Sequence, residues 1–327
     1  MRSLIIGTRG SKLALWQAEH VAAGLRAAWP GLEVAVEVIK TKGDKILDVA
    51  LSKIGDKGLF TKELEQALLD GRVDVCVHSL KDVPTVQPEG LEIAGCLARA
   101  DAHDVLVAPA GTTFAGLPAG ARVGTGALRR LAQLRALRDD LDYVEVRGNL
   151  DTRIGKVRSG ALDAIVLASA GIRRMGWEDE IAEAFPVEQV VPAVGQGAIA
   201  LEARAGDART AELCAKVRCA ETEACVAAER RVMHLLDGGC QVPIGAYARF
   251  EGGELALDAF VGRLDGTLLL KSRASEPLPA PRSLDDAPAA SQVACALAER
   301  AVGELLAAGA REVLDEVRAT GDERPLV

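Results

Sequence analysis

The chemistry in this sequence concentrates at one cysteine, one aspartate and a recurring arginine. Cys240 lies in Leu236-Asp237-Gly238-Gly239-Cys240-Gln241-Val242-Pro243-Ile244-Gly245. A helical pattern from Glu221 to Leu236 stops there at two glycines, which can take the positive φ that ends a helix. Pro243 prevents the helix resuming. The thiol is therefore expected on an exposed bend with small neighbours, where a bulky group can reach sulfur. Of the seven cysteines it is the best placed to be a covalent attachment point or a nucleophile. A thiol buried in the loop is the plainer alternative.

Arginine recurs at one kind of place. Arg122-Val123 leads into Gly124-Thr125-Gly126-Ala127-Leu128-Arg129-Arg130 and a helical pattern through Arg138. Tyr143 to Val146 leads into Arg147-Gly148-Asn149, then Asp151 and Thr152 as capping residues and a helix carrying Arg153. Ala164 to Leu167 leads into Ala168-Ser169-Ala170-Gly171-Ile172-Arg173-Arg174. Each reads as a strand, a small-residue turn and a helix start with arginine in its first turns. Helix N-termini carry unpaired N–H groups and partial positive charge, so arginine there opposes the dipole. An anionic ligand offsets that cost, and guanidinium meets carboxylate or phosphate bidentately. With Arg9 and Lys81 at other strand ends, these turns imply a cleft for a polyanion. Taken singly, each arginine also fits a solvated surface.

A further strand, Val73 to Val77, runs into His78-Ser79-Leu80-Lys81-Asp82-Val83-Pro84. The carboxyl ends of strands in α/β folds are where ligands sit. His78 alone at a strand end also suits a hydrogen-bonded structural role.

The elements that must position these groups follow in order. Leu4 to Gly7 is a short strand, Arg9-Gly10-Ser11 a glycine loop, and Leu13 to Leu25 a helix by its apolar spacing. Val34, Val36 and Val38 alternate as a strand. Thr41 to Lys62, rich in Gly, Lys and Asp, is a candidate mobile lid, with Lys57 and Phe60 in Lys57-Gly58-Leu59-Phe60. A solvated connection is the other reading of that loop. Leu91 to Leu97 is a strand, and Asp101-Ala102-His103-Asp104 a polar break where the chain crosses to a second domain. Val194-Gly195-Gln196-Gly197-Ala198 is the return crossing, followed by a strand and a helix that rejoin the first domain. From Ala220 a helix precedes three alternating stretches joined by short turns, an antiparallel pattern, then an Ala-rich helix from Ala289 to Ala308.

The expected fold class is thus α/β, with two lobes, the first discontinuous, plus a small C-terminal α+β domain with an antiparallel sheet. The expected bounds are 1–98 with 198–218, 99–197, and 219–327. Two crossings between paired lobes give a hinged arrangement with ligand between them.

The 327 residues, 49% apolar and 26% charged, suit a multi-domain globular protein. The net charge of −8 argues against a nucleic-acid partner. Seven cysteines without a CxxC pair are neither a disulfide framework nor a zinc ribbon, so reduced cytosolic thiols are expected and no metal site. The first residues hold too few apolar positions for a signal peptide, and no run approaches the roughly 20 needed to span a membrane. A cytoplasmic location follows as an expectation.

In register, Arg9-Gly-Ser11 with Leu13-Ala-Leu-Trp16, Lys57-Gly-Leu-Phe60, His78-Ser-Leu-Lys-Asp-Val-Pro84, Leu128-Arg-Arg130, Arg147-Gly-Asn149 with Thr152-Arg153, Val194-Gly-Gln-Gly-Ala198 and Gly238-Gly-Cys-Gln-Val-Pro-Ile-Gly245 resemble the porphobilinogen deaminase family over essentially the whole chain. The resemblance implies two periplasmic-binding-protein-like lobes and a third domain. It implies a dipyrromethane cofactor on Cys240 through a thioether, onto which four porphobilinogen molecules are condensed with loss of ammonia before hydrolysis releases hydroxymethylbilane. Asp82 resembles the catalytic carboxylate. Lys81, Thr125, Arg129, Arg130 and Gln196 resemble cofactor contacts. Arg9, Ser11, Arg147, Asn149, Arg153 and Arg174 resemble substrate contacts, with Phe60 and Lys57 in the lid. The family also favours a monomer.

The bottom-up reading agrees with that chemistry. A growing pyrrole chain accumulates carboxylates, and cationic intermediates call for one carboxylate in a water-poor cleft. Many relatives place two serines before Leu-Arg-Arg, where this chain has Gly126 and Ala127; one hydroxyl-to-carboxylate bond of that kind contributes about 1.5–3 kcal/mol. A non-catalytic two-lobe binder of a polycarboxylate would need the arginines but neither Cys240 nor Asp82. A cysteine hydrolase is disfavoured, because none of His20, His78, His103 and His234 is placed as its base.

Overall fold

The computed structural model describes residues 3–45, 60–239 and 242–320. In chain order the elements are β1 (Ser3–Thr8), α1 (Lys12–Ala28), β2 (Glu33–Val38), α2 (Lys42–Lys45), α3 (Lys62–Leu69), β3 (Val75–Ser79), β4 (Leu91–Cys96) and β5 (Asp104–Val107). They continue with β6 (Arg122–Thr125), α4 (Leu128–Leu137), β7 (Asp142–Glu145), α5 (Leu150–Arg158), β8 (Ala164–Ala168), α6 (Ser169–Arg174), β9 (Ile181–Ala184) and β10 (Ile199–Arg204). Last come α7 (Ala208–Ala215), α8 (Ala220–Leu235), β11 (Ile244–Glu251), β12 (Glu254–Gly262), β13 (Leu269–Pro277), α9 (Ala287–Ala307) and α10 (Ala310–Thr320).

The first sheet runs β2-β1-β3-β10-β4 and the second β7-β6-β8-β5-β9. In each, the first three strands are parallel and the fourth is antiparallel to both neighbours. The fourth strand is the exchanged one: β10 joins the first sheet after the chain has left the second, and β5 enters the second directly from the first. This is the expected pair of α/β lobes with a discontinuous first lobe.

Short apolar strands need cover on both faces. In the first lobe α1 supplies Ala18, Val21 and Leu25 against Leu4, Ile6, Val75 and Val77. The opposite face receives Leu64, Ala67 and Leu68 of α3. In the second lobe α4 packs Leu131 and Leu134 on one face. Ile154 of α5 and Ile172 of α6 pack on the other.

The two crossings lie side by side. Leu97 N–H donates to Ile199 O at 3.1 Å and Ala100 N–H to Gly197 O at 3.1 Å. Gly197 has φ +87, and a Cβ there would stand 2.5 Å from Ala100 O, so only glycine allows this approach.

The third sheet is antiparallel, β11-β12-β13, with α8, α9 and α10 packed over it. α10 has no counterpart in the sequence reading, which ended the last helix at Ala308.

Candidate active site

Each lobe presents its polar groups from the carboxyl ends of its parallel strands. Beyond β1, Arg9 lays its guanidinium over the Phe60 ring, 4.1 Å from the centroid. Ser11 is the N-cap of α1, its hydroxyl accepting from Ala14 N–H at 3.2 Å. β3 runs into a 3₁₀ turn, Leu80–Asp82, in which Leu80 is buried, Lys81 half-buried and Asp82 exposed. Among the described residues Asp82 has no hydrogen-bond or ion-pair partner, so the alternative of an aspartate tied up by Lys81 is not what forms.

In the second lobe Thr125 closes β6, and Arg129 and Arg130 stand in the first turn of α4. Both arginines are buried and both turn to Asp104, which is 0% exposed. Arg130 donates to Asp104 Oδ1 from Nε at 2.9 Å and Nη2 at 2.8 Å, and from Nη1 to Val166 O at 3.0 Å. Arg129 Nη2 stands 2.6 Å from Asp104 Oδ2, an ion pair without hydrogen-bond alignment. Its Nη1 donates to Val191 O. Gln196, also fully buried, donates Nε2–H to Asp104 Oδ1 at 2.9 Å and to Ala102 O at 2.7 Å. Its Oε1 accepts from Lys81 Nζ at 3.4 Å. Gln196 thus spends its amide on the protein.

The electrostatics follow from this packing. Burial raises the Asp104 carboxyl, but Arg129 and Arg130 more than reverse that and hold it at about 2. Lys81 is lowered to about 8, first by burial and then by Arg130, with Asp82 and Asp104 opposing. Burial, with Arg130 beside it, lowers Arg153 to about 10, and burial alone lowers Arg174 to about 10. Cations held under this strain are stabilised by an anionic ligand.

The remaining arginines have separate settings. Arg147 keeps a buried Nη1 with no hydrogen-bond partner. Arg153 Nε donates to Gly148 O at 2.8 Å. Arg174 donates to Gly197 O at 2.7 Å and faces the Trp16 ring of the other lobe at 5.8 Å. α6 has only six residues, so Arg173 and Arg174 lie in its last turn, not its first. Arg173 is half-exposed and bonded to Asp101 at 3.3 Å. Asn149 is the N-cap of α5, its Oδ1 accepting from Thr152 N–H at 2.9 Å and Thr152 Oγ1 at 2.8 Å. Lys12, in α1, reaches Asp151 of the other lobe at 3.1 Å.

Cys240, Gln241 and Lys57 lie outside the described residues. The approach to Cys240 differs from expectation. α8 ends with Asp237 at φ 49, while Gly238 and Gly239 are not at positive φ. Asp237 N–H donates to His234 O at 3.1 Å and Gly238 N–H to Met233 O at 2.8 Å, a Schellman closure in which an aspartate takes the left-handed place. Gly238 is needed for space: a Cβ there would stand 2.4 Å from Met233 Sδ and 2.7 Å from Ile244 Cδ1, whereas no atom of the described residues would lie within 4 Å of one on Gly239.

The glycine before Leu128 is likewise steric. A Cβ on Gly126 would lie 2.6 Å from Val146 O, so a serine has no place here on this backbone. Ala127 is the uncapped N-cap of α4, and Thr125 Oγ1 accepts from its N–H at 3.4 Å.

Asp104 is the residue that sequence reading missed, taken there as part of a polar break. The available signal was a charged residue opening an otherwise apolar strand, which demands a buried partner.

Residues 4–212 match the family model described as porphobilinogen deaminase, dipyromethane cofactor binding domain, and residues 223–281 match porphobilinogen deaminase, C-terminal domain. A protein named porphobilinogen deaminase from Moorella thermoacetica is 50% identical over 319 residues, 98% of each chain. One of the same name from Chlorobium limicola is 46% identical over 319 residues, 98% of this chain and 99% of that one. Among solved structures, a putative methionine-binding lipoprotein from Bacillus subtilis overlaps 66% of this chain and 90% of its own at 13% identity and TM-score 0.40, too loose to bear on function. With both family models in register and near-full-length identity at this level, the chain belongs to the porphobilinogen deaminase family.

Proposed function

We propose that this chain is a hydroxymethylbilane synthase, which condenses four porphobilinogen molecules head to tail with loss of ammonia and releases the linear product by hydrolysis. The observation that carries the reading is one exposed carboxylate, Asp82, unpartnered among the described residues, beside cations that burial has made costly without an anion. The buried, unpartnered Nη1 of Arg147 also asks for an acceptor, as a polycarboxylate cofactor provides.

Lys81, Thr125, Arg129 and Arg130 would hold a dipyrromethane group, with Gln196 orienting Lys81, and Cys240 would carry the group as a thioether. When bound, the group supplies the primer for condensation. The chain's own residues do the rest. Arg9, Arg147, Arg153 and Arg174 bind the acetate and propionate of incoming porphobilinogen, while Ser11 and Asn149 fix the helix starts around them. The aminomethyl carbon–nitrogen bond breaks, ammonia leaves with the bonding pair, and Asp82 stabilises the cation left on that substrate. Phe60 lies under Arg9 at the edge of the described residues, and Lys57 lies outside them.

The sheet memberships support the division 1–98 with 198–218, 99–197 and 219–327. A monomer in the cytoplasm, without metal or nucleic acid, completes the proposal; among the described residues no helix is long and apolar enough to cross a membrane.

The test is incubation of the purified protein with porphobilinogen, following hydroxymethylbilane and ammonia, with intact-mass measurement beforehand. The expected result is turnover by a protein carrying the mass of two pyrrole units at Cys240. Folded protein that yields no ammonia and no product would overturn the assignment.

A further inference from the structure

We propose that Asp104 is a positioning residue for the condensation: a single buried carboxylate fixes where Lys81, Arg129 and Arg130 present themselves to a polycarboxylate ligand. The inference rests on the activity proposed above.

The geometry around this group draws on the second lobe, the return crossing and, through it, the first lobe. Asp104 opens β5, where the chain enters the second lobe. Arg129 and Arg130 come from α4, Gln196 from the return crossing, and Lys81, through Gln196, from the first lobe. Oδ1 accepts three donors, Arg130 Nε, Arg130 Nη2 and Gln196 Nε2, while Oδ2 faces Arg129. Both oxygens are therefore committed, and neither is offered to a ligand. One negative charge against two adjacent guanidinium groups leaves a net cation, so the pair is held together yet still binds a carboxylate.

No isosteric neutral group can replace it. An asparagine must turn its NH2 either towards Arg129 or towards the donors of Arg130 and Gln196, setting donor against donor. The released arginine and the released amide of Gln196 then lose their fixed places, and Lys81 loses its orienting acceptor. The charged groups facing Lys81 are Arg130, Arg129, Asp82 and Asp104; those facing Asp104 are Arg129 and Arg130, with His103 adjacent. Removing the Asp104 charge therefore lowers the pH at which Lys81 gives up its proton.

The experiment compares wild type, Asp104→Asn, Asp104→Glu and Gln196→Leu as isolated holoenzymes, measuring product formation across pH. Asp104→Asn is expected to lose at least about 10²-fold in kcat/KM and to move the alkaline limb of its profile down by about one pH unit. Asp104→Glu is expected to restore the limb. Gln196→Leu keeps the ion pairs and cuts the link to Lys81, so its limb moves the same way and serves even where Asp104→Asn does not fold. An unmoved limb in Gln196→Leu, or in a folded Asp104→Asn, overturns the role, because a merely structural residue lowers the rate equally at every pH. Wild type without product would sink the assigned activity and this role together; active wild type with unmoved limbs sinks this role alone.

Discussion

Arg99 and Glu229 form a buried ion pair at the place where the two crossings meet the third sheet. Arg99, on the first crossing, donates from Nη1 and Nη2 to Glu229 of α8 at 2.5 and 3.1 Å. Glu229 also accepts from Gly195 N–H on the second crossing at 2.7 Å and from Ala248 N–H on β11 at 2.9 Å. Burial pulls the Arg99 guanidinium down, and Glu229 more than offsets it.

Glu229→Ala should therefore cost about 3–5 kcal/mol of stability, because it strands a buried guanidinium. Urea denaturation measures this. A loss under about 1 kcal/mol would show the pair to be dispensable.

Asp82→Asn should move the denaturation midpoint little, since the side chain is exposed and has no hydrogen-bond or ion-pair partner among the described residues. Product formation should fall by at least about 10²-fold through loss of charge stabilisation. Turnover near the wild-type rate would remove Asp82 from its role.

Lys81 gives a signed pH dependence. Its folded value of about 8 lies below its ordinary 10.5, so between these the unfolded chain binds more protons. Stability of cofactor-free protein should rise with pH across that window as the cost of burying the charged amine is relieved. Carboxylates beside Lys81 raise its value, so loaded protein should show a weaker rise. Equal slopes with and without the cofactor would mean that no carboxylate lies beside Lys81.

The turn before Arg129 separates two substitutions that look alike in sequence. Ala127→Ser should stabilise by about 1 kcal/mol, since Ala127 has extended N-cap backbone and no capping oxygen. Gly126→Ser should destabilise by about 1–3 kcal/mol, because its Cβ meets Val146 O. Paired melting curves decide; the reverse order would contradict the steric reading.

Sequence showed most of the lobes because their signals are local. The apolar runs of β1 and β8, and the glycine turns after β1 and β6, declare themselves within a few residues. What stayed hidden depends on distant partners. Asp104 gains meaning only when Arg130 and Gln196 fold back onto it. The left-handed Asp237 was credited to the glycines beside it, because glycine is the default for that backbone. The helix caps at Ser11 and Asn149 carry motif residues whose local bonding the motif does not reveal.

The exchanged fourth strands bear on how the chain is made. Every strand of the second sheet lies between Asp104 and Ala184, so a ribosome delivers that lobe whole. The first sheet needs β10 between β3 and β4, and β10 emerges only after the second lobe is complete. The lobe made first therefore closes its sheet last. Until it does, β3 keeps one open edge and β4 has no partner strand, the state in which sheets are open to aggregation and to chaperones.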